Sequence, residues 1–336
     1  MKMNEKILLA HGSGGRLSHQ LVEEVFLPLL DNRILDKMDD SAVFEIWGKL
    51  AFTTDSYVIN PIFFPGGDIG KLAVCGTVND LAMSGARPLF LSLAFIIEEG
   101  FPLDDLRTIV RSISEVGREA GVQIVTGDTK IVNHGSADGI FINTAGVGVI
   151  EKEVDISGSN ATIDSYILLS GTIGDHGIAV MSKREGLNFS LSVESDCAPL
   201  NSLVDDILSV STEVRVLRDP TRGGLATSLN EIAQQSNVGI EIYEDKIPVD
   251  KSVQAACEML GLDALYVANE GKLIAFTTPV RSEDILNKMR QNKYGRNAQL
   301  IGKVTMEHPG KVVMRTKLGT TRIVDMLVGD LLPRIC

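Results

Sequence analysis

Between the apolar runs LFLSLAFII and VQIVTGD, the segment from Leu103 to Ala120 sets Leu106, Ile109, Val110, Ile113 and Val116 on one face at helical spacing. A helix with one apolar stripe, bounded by strands, has to bury that stripe in layers of helix and sheet. The neighbouring sequence carries the same signals. Leu17 to Leu30 reads as a helix with Leu21, Val22, Val25, Phe26 and Leu29 on its stripe and Ser18 as a cap. AVFEIWGKLAFTTDSYV reads as two strands around Gly48 and Lys49, GDIGKLAVCGTVNDLAMSGA as a helix, and GIFINTAGVGVI as a strand. Residues 1–155 are therefore expected to form an α+β unit.

The polar stretch EKEVDISGSNAT suits a boundary, and SYILLSG opens a second alternating unit. Helices are predicted at 202–212, 222–236 and 252–260, strands at VGIEIY, KLIAFTT and AQLIGKV, and a hairpin in GKVVMRTKLGTTRIVDML. Residues 156–328 are expected to be a layered α/β unit, followed by a tail at 329–336. The seven residues after Gly329 can reach roughly 23–25 Å, enough to enter a cleft. A length of 336 residues likewise suits two cores better than one.

Charge and composition remove several functions. Forty-four acidic against 32 basic residues give a net charge of −12, which repels nucleic acid and anionic membranes. MKMNEKILLAHGSGG lacks the form of a signal peptide, and no apolar run is long enough to span a bilayer, so the cytoplasm is expected. Cys75, Cys197, Cys257 and Cys336 have no zinc or disulfide spacing. The first three read as core or inert thiols. Cys336, at the end of LLPRIC, is either an accident of composition or a reactive group. His11 and His176 lie in the glycine loops, in reach of a phosphate or the tail, whereas His19, His134 and His308 have no companion at ligand spacing; all five are left unassigned.

Carboxylates recur beside turns and strand ends: Asp39 and Asp40 in DDSAV, Asp55 in TTDSYV, Asp80 in NDLAMSGA and Asp128 in TGDT. Singly, each reads as a cap or turn residue. Converging, they would repel one another unless a cation neutralised them, and Mg²⁺ takes a few carboxylates together with phosphate oxygens. HGSGGR (Gly12, Gly14, Gly15) and SGTIGDHG are either phosphate-facing loops or plain turns. GGDIGKLA is not a P-loop, because Leu72 stands where a metal-binding Ser or Thr belongs. In DPTRGGLA, Arg222 can meet a phosphate or close an ion pair.

The ordered set DDSAV, TTDSYV, NDLAMSGARP, TGDTK and DPTRGGLA resembles the ATP-binding family that includes aminoimidazole ribonucleotide synthetase, selenophosphate synthetase and thiamine-phosphate kinase. Within it, HGSGGR, SGTIGDHG, NEGKL and the ending PRIC are similar to the HypE carbamoyl dehydratases of nickel–iron hydrogenase maturation. The resemblance implies a PurM-like two-domain fold, an N-terminal α+β unit that dimerises and a C-terminal α/β unit, with ATP and Mg²⁺ in the cleft.

It implies further that Cys336 accepts a carbamoyl group from a HypF-type partner. ATP-dependent dehydration then yields a thiocyanate, and its cyano group passes to iron on a HypC–HypD scaffold. By the same resemblance Glu270 and Lys130 lie beside the reacting group. Asp39, Asp40, Asp55, Asp80, Asp128 and the three glycines hold the nucleotide, with Asp39, Asp55, Asp80 and Asp128 as metal candidates. Taken alone, Glu270 reads as a surface turn residue and Lys130 as a solvated strand end. No cysteine precedes Cys75, which disfavours the selenophosphate branch, and thiamine-phosphate kinase has no use for the tail. A non-catalytic adaptor that binds through its tail is the alternative of another class; the intact acidic set argues against it.

Overall fold

The computed structural model describes residues 6–13, 15–38, 41–186 and 193–327. Of the residues singled out above, Gly14, Asp39, Asp40 and Cys336 lie outside the described set.

A 3-10 turn Leu9–Gly12 leads into a helical run made of Arg16–Leu21 (α1), a π turn Val22–Phe26 and Leu27–Leu30 (α2). Pro28 has no N–H to offer the preceding turn, which opens to the wider π form. The first unit continues with Lys49–Tyr57 (β1), Phe63–Phe64 (β2), Gly67–Asp68 (β3), Ile69–Met83 (α3), Arg87–Glu98 (β4), Leu103–Ala120 (α4), Gln123–Val132 (β5) and Ile140–Ile150 (β6). Its main sheet runs β1-β6-β4-β5, with α4 as the crossover between the parallel neighbours β4 and β5.

One of the two strands expected around Gly48 is absent. Residues 42–47 join no ladder among the described residues, although Phe44 packs its ring on Phe90 at 4.3 Å. The alternation there is real, but it faces solvent, with Trp47 86% exposed. GGDIGKLA turns out to be a helix start: Asp68 caps α3, accepting from Gly70 N at 2.7 Å, Lys71 N at 3.0 Å and Ser112 Oγ at 2.5 Å. α3 and α4 cover one face of the sheet. The other face is open, carrying exposed Leu50, Phe52 and Ile96.

The second unit comprises Tyr166–Leu169 (β7), Asp175–Arg184 (α5), Asn201–Val210 (α6), Val214–Arg218 (β8), Gly224–Ser236 (α7), Gly239–Tyr243 (β9), Lys251–Leu260 (α8), Ile274–Thr277 (β10), Pro279–Gln291 (α9), Gln299–Thr305 (β11), Val312–Arg315 (β12) and Thr321–Val324 (β13). Seven strands form one mixed sheet, β13-β12-β9-β11-β7-β10-β8. Successive residues point to opposite faces. Thus Ile167 and Leu169 pack with α7, and Leu168 packs with α6 and α9. No helix among the described residues is long and apolar enough to cross a membrane.

The two units share a buried seam at the C-terminal half of α3. Asn79, 1% exposed, donates from Nδ2 to the carbonyls of Ala198 and Glu270 at 3.1 and 3.3 Å and accepts the Leu200 N–H at 2.7 Å. One side chain thereby satisfies three backbone groups that burial would otherwise leave unpaired.

Candidate active site

Three carboxylates meet at this seam. Asp55 shares the helix-facing side of β1 with Thr53 and Tyr57, because strand residues alternate. Asp80 projects from α3 and accepts from Thr53 Oγ1 at 2.9 Å. Asp219 comes from the loop between β8 and α7, whose Arg222 guanidinium lies 3.7 Å from Asp55. Burial, followed by the charge of Asp80 and then Asp55, pushes the Asp219 carboxyl up to about 6. Burial also raises Asp80, with Asp55 adding repulsion and Thr53, Arg218 and Arg222 opposing it. Tyr57, 4% exposed, is raised by burial and then by Asp55, Glu270 and Asp80, so one phenol feels two of the seam aspartates together with Glu270.

Glu270 is only 7% exposed, which overturns its reading as a surface turn residue. Asp196 holds the segment from behind, accepting the Glu270 and Gly271 N–H groups, each at 3.2 Å, and Lys272 Nζ at 3.1 Å. Lys272 also lies 3.6 Å from Asp175. Position 271 has to be glycine, since a Cβ there would sit 1.8 Å from the Asp196 carbonyl oxygen. SGTIGDHG spends its N–H groups on this segment: Gly174 N donates to Asn269 Oδ1 at 2.8 Å and Gly177 N to the Ala268 carbonyl at 3.1 Å. Asn269 Nδ2 in turn donates to the Pro220 carbonyl at 2.9 Å, fixing NEGKL against DPTRGG.

Asp128 and Lys130 are elsewhere. In the ladder, Asp55, Thr144, Leu93 and Gly127 form one cross-strand row, and Ser56, Asn143, Ala94 and Asp128 form the next. Adjacent rows point to opposite faces, so Asp128 and Lys130 lie on the open side while Asp55 faces α3. They pair with each other at 3.4 Å and are both exposed. Beside β5, a cavity of about 530 Å³ is bounded by His11, Gly12, Asp128 and Lys130 among others. Gly12 packs so tightly on Ile131 that a Cβ would lie 2.8 Å from it, and Gly15 precedes α1.

Among the described residues, no group of three His, Cys, Asp or Glu side chains stands at metal-binding distance. The seam nevertheless fits Mg²⁺: three crowded carboxylates, two of them with raised pKa values, and an ion that takes one or two of them and completes its shell with water and phosphate. Asp196, Lys272, Asn79 and Asp219 are not found by the sequence reading as site residues, although Asp219 opens a quoted motif. Cys75, Cys197 and Cys257 are buried, as expected of inert thiols.

Asp219→Asn isolates the charge crowding. Its folded pKa of about 6 exceeds the ordinary value of 3.8, so the folded chain loses stability as pH rises from about 4 through about 6. Without nucleotide, the Asn variant is expected to be more stable than the parent at pH 7–8 by about 1–3 kcal/mol. That gain vanishes by about pH 4, and thermal melts across this pH series check it.

Comparison with known proteins agrees with this architecture. Residues 38–150 match the N-terminal domain of the AIR synthase related proteins, and residues 163–315 match their C-terminal domain. The chain is 53% identical over 334 residues to the carbamoyl dehydratase HypE of Azotobacter vinelandii, covering 99% of this chain and 98% of that one. It matches a crystal structure of hydrogenase maturation protein HypE in complex with ATP at a TM-score of 0.95 and 50% identity, covering 98% and 99% of the two chains. A HypE–HypF complex contains a chain matched at a TM-score of 0.82 and 51% identity, covering 91% and 99%. The chain belongs to the HypE family of AIR synthase related proteins.

Proposed function

We propose that this chain dehydrates a carbamoyl group held on the Cys336 thiol, using ATP, and so supplies cyanide ligands to the iron of a nickel–iron hydrogenase. The observation that carries this reading is the seam, where Asp55, Asp80 and Asp219 crowd together next to a buried Glu270. Relatives named carbamoyl dehydratase HypE, and a HypE solved with ATP, support it.

The amide oxygen of S–CO–NH₂ is a poor leaving group. Transfer of the γ-phosphoryl of ATP to that oxygen, with one of the two N–H protons released, gives ADP and an S-linked imidate phosphate that keeps a single N–H. Loss of the N–H proton and cleavage of the C–O bond then release phosphate and leave S–C≡N. Glu270, buried at the seam, is positioned to take that proton. Asp55, Asp80 and Asp219, with Asp39 and Asp128, are the groups that would hold Mg²⁺, which when bound neutralises phosphate charge. Arg222, Asp40, Gly12, Gly14 and Gly15 complete the nucleotide contacts. Lys130 steadies the oxygen that is transferred.

Lys130 and Asp128 lie across the sheet from Glu270, which favours a homodimer formed over the open face of Leu50, Phe52 and Ile96. In that arrangement each copy lends Asp128 and Lys130 to the other's seam. We assign the nucleotide unit to 1–155, the second unit to 156–328 and the acceptor tail to 329–336. A HypF-type carbamoyltransferase is the donor, as the HypE–HypF complex suggests, and a HypC–HypD scaffold in the cytoplasm is the recipient.

Mass spectrometry of the C-terminal peptide tests the reading. Incubation with a HypF-type partner should add one carbamoyl group, and ATP should then remove one water. Cys336→Ala should stay unmodified while still binding ATP; carbamoylation of that variant would overturn the proposal.

A further inference from the structure

The edge strand β13 is the last ladder strand before the tail, and side chains from outside the sheet tie its end at three points. Arg322 pairs with Asp263 at 2.7 Å. The Val324 carbonyl accepts from Asn230 Nδ2 at 2.8 Å, and the Asp325 carbonyl accepts from the Tyr266 hydroxyl at 2.9 Å. Val324 itself is fully buried in the second unit's core. Asn230 stands in the middle of α7 and is 3% exposed. Asn is a poor residue for a helix interior, and an apolar side chain would fill that space as well. Its amide instead donates to the Ala226 carbonyl at 2.9 Å and to Val324, joining the end of β13 to the helix.

All three ties lead to the seam. α7 begins directly after the loop that carries Asp219 and Arg222. Asp263 caps the 3-10 turn Ala264–Tyr266, accepting the Leu265 N–H at 3.0 Å, and Tyr266 ends that turn four residues before Glu270. The strand that ends in the tail is therefore clamped to both segments that deliver the second unit's carboxylates. Four residues span at most about 14 Å, whereas the eleven from Asp325 to Cys336 span about 36–40 Å when extended. The arm has length to spare on the way to Glu270 and enough to present its thiol well outside. With such slack, delivery is limited by how often the sulfur visits the seam, which falls roughly as the −3/2 power of the free length. Release of β13 would move the last fixed point back to Arg315 and lengthen the free arm from eleven residues to twenty-one. That costs about 2–3-fold in effective concentration.

We propose that Asn230 and Tyr266, with the Arg322–Asp263 pair, are positioning residues that fix the pivot of the Cys336 arm at Asp325 and so set how often the loaded sulfur reaches Glu270. The assignment rests on the dehydratase reading above and adds to it where the arm is rooted and what holds it there. None of these side chains touches the reacting group; they act through the length of chain left free.

Single-turnover dehydration of the carbamoyl-loaded full chain, followed by the mass of the C-terminal peptide after ATP is added, tests this. A chain carrying Arg322→Ala, Asn230→Ala and Tyr266→Phe should lose water about 2–3-fold more slowly than the parent, with carbamoyl loading and calorimetric ATP affinity unchanged. Ten Gly and Ser residues inserted after Leu327 of the parent should slow it by the same factor, because the free length is then the same. Tyr266→Phe alone, which removes one hydroxyl, should speed amide hydrogen exchange in residues 321–327 and leave 268–273 protected. Dehydration at the parental rate in the triple variant or in the lengthened chain would overturn the proposal. So would unchanged exchange at 321–327 in Tyr266→Phe, or slowing accompanied by weaker ATP binding or faster exchange at 268–273, which would make these residues supports of the seam. A parent that gains the carbamoyl group and never loses water would instead sink the dehydratase reading.

Discussion

Glu270→Gln should accept the carbamoyl group on Cys336 and then stall, with loss of water slowed about 10²–10⁴-fold, the usual contribution of a positioned general base. The substitution keeps the side chain's size and its backbone ties, since Asp196 and Asn79 hold the main chain at this position. Folding and ATP affinity should therefore change little. The diagnostic result is accumulation of carbamoylated, undehydrated C-terminal peptide in the presence of ATP. Turnover of that peptide at the parental rate would remove Glu270 from the chemistry. A variant no longer loaded by the carbamoyl donor would indicate that Glu270 shapes docking instead.

Mixing two inactive variants should restore activity. Lys130→Ala and Glu270→Gln each disable the reaction alone, and in a single-chain site no mixture could recover it. If Lys130 acts across the dimer, each mixed dimer holds one site with both parental residues and one with neither. Random exchange makes half of the dimers mixed, so activity should return to about a quarter of the parental level. The rates to compare are those of the separate variants and of the mixture after exchange through mild denaturant. No recovery, with exchange confirmed by differently tagged copies, would place Lys130 in the same chain's site or outside it.

Much of the fold is legible in the sequence because its periodicities are long. α4 occupies Leu103–Ala120, the range its stripe predicts, and β9, β11 and the final hairpin coincide with their apolar runs. The strand expected before Gly48 fails for a tertiary reason: alternation specifies a shape, whereas a ladder also needs a neighbour. The site is less legible. Asp55 and Asp80 are brought together as expected, but no pattern along the chain reveals that Asp128 points to the opposite face. That depends on the register of four strands. Asp196 and Lys272 escape for another reason. Their importance lies in holding NEGKL from beneath, and a buried pair separated by 76 positions leaves no local signature.

The Asn79 bridge has a mechanical consequence. A hinge between the two units would have to break three buried hydrogen bonds at one side chain with no water at hand to replace them. Domain closure of the kind that traps substrates in many nucleotide enzymes is thus the costly coordinate here. The seam behaves as an anvil of fixed shape, and in the proposed reaction the timing falls to whatever is brought onto it: the nucleotide, the loaded sulfur and a neighbouring copy.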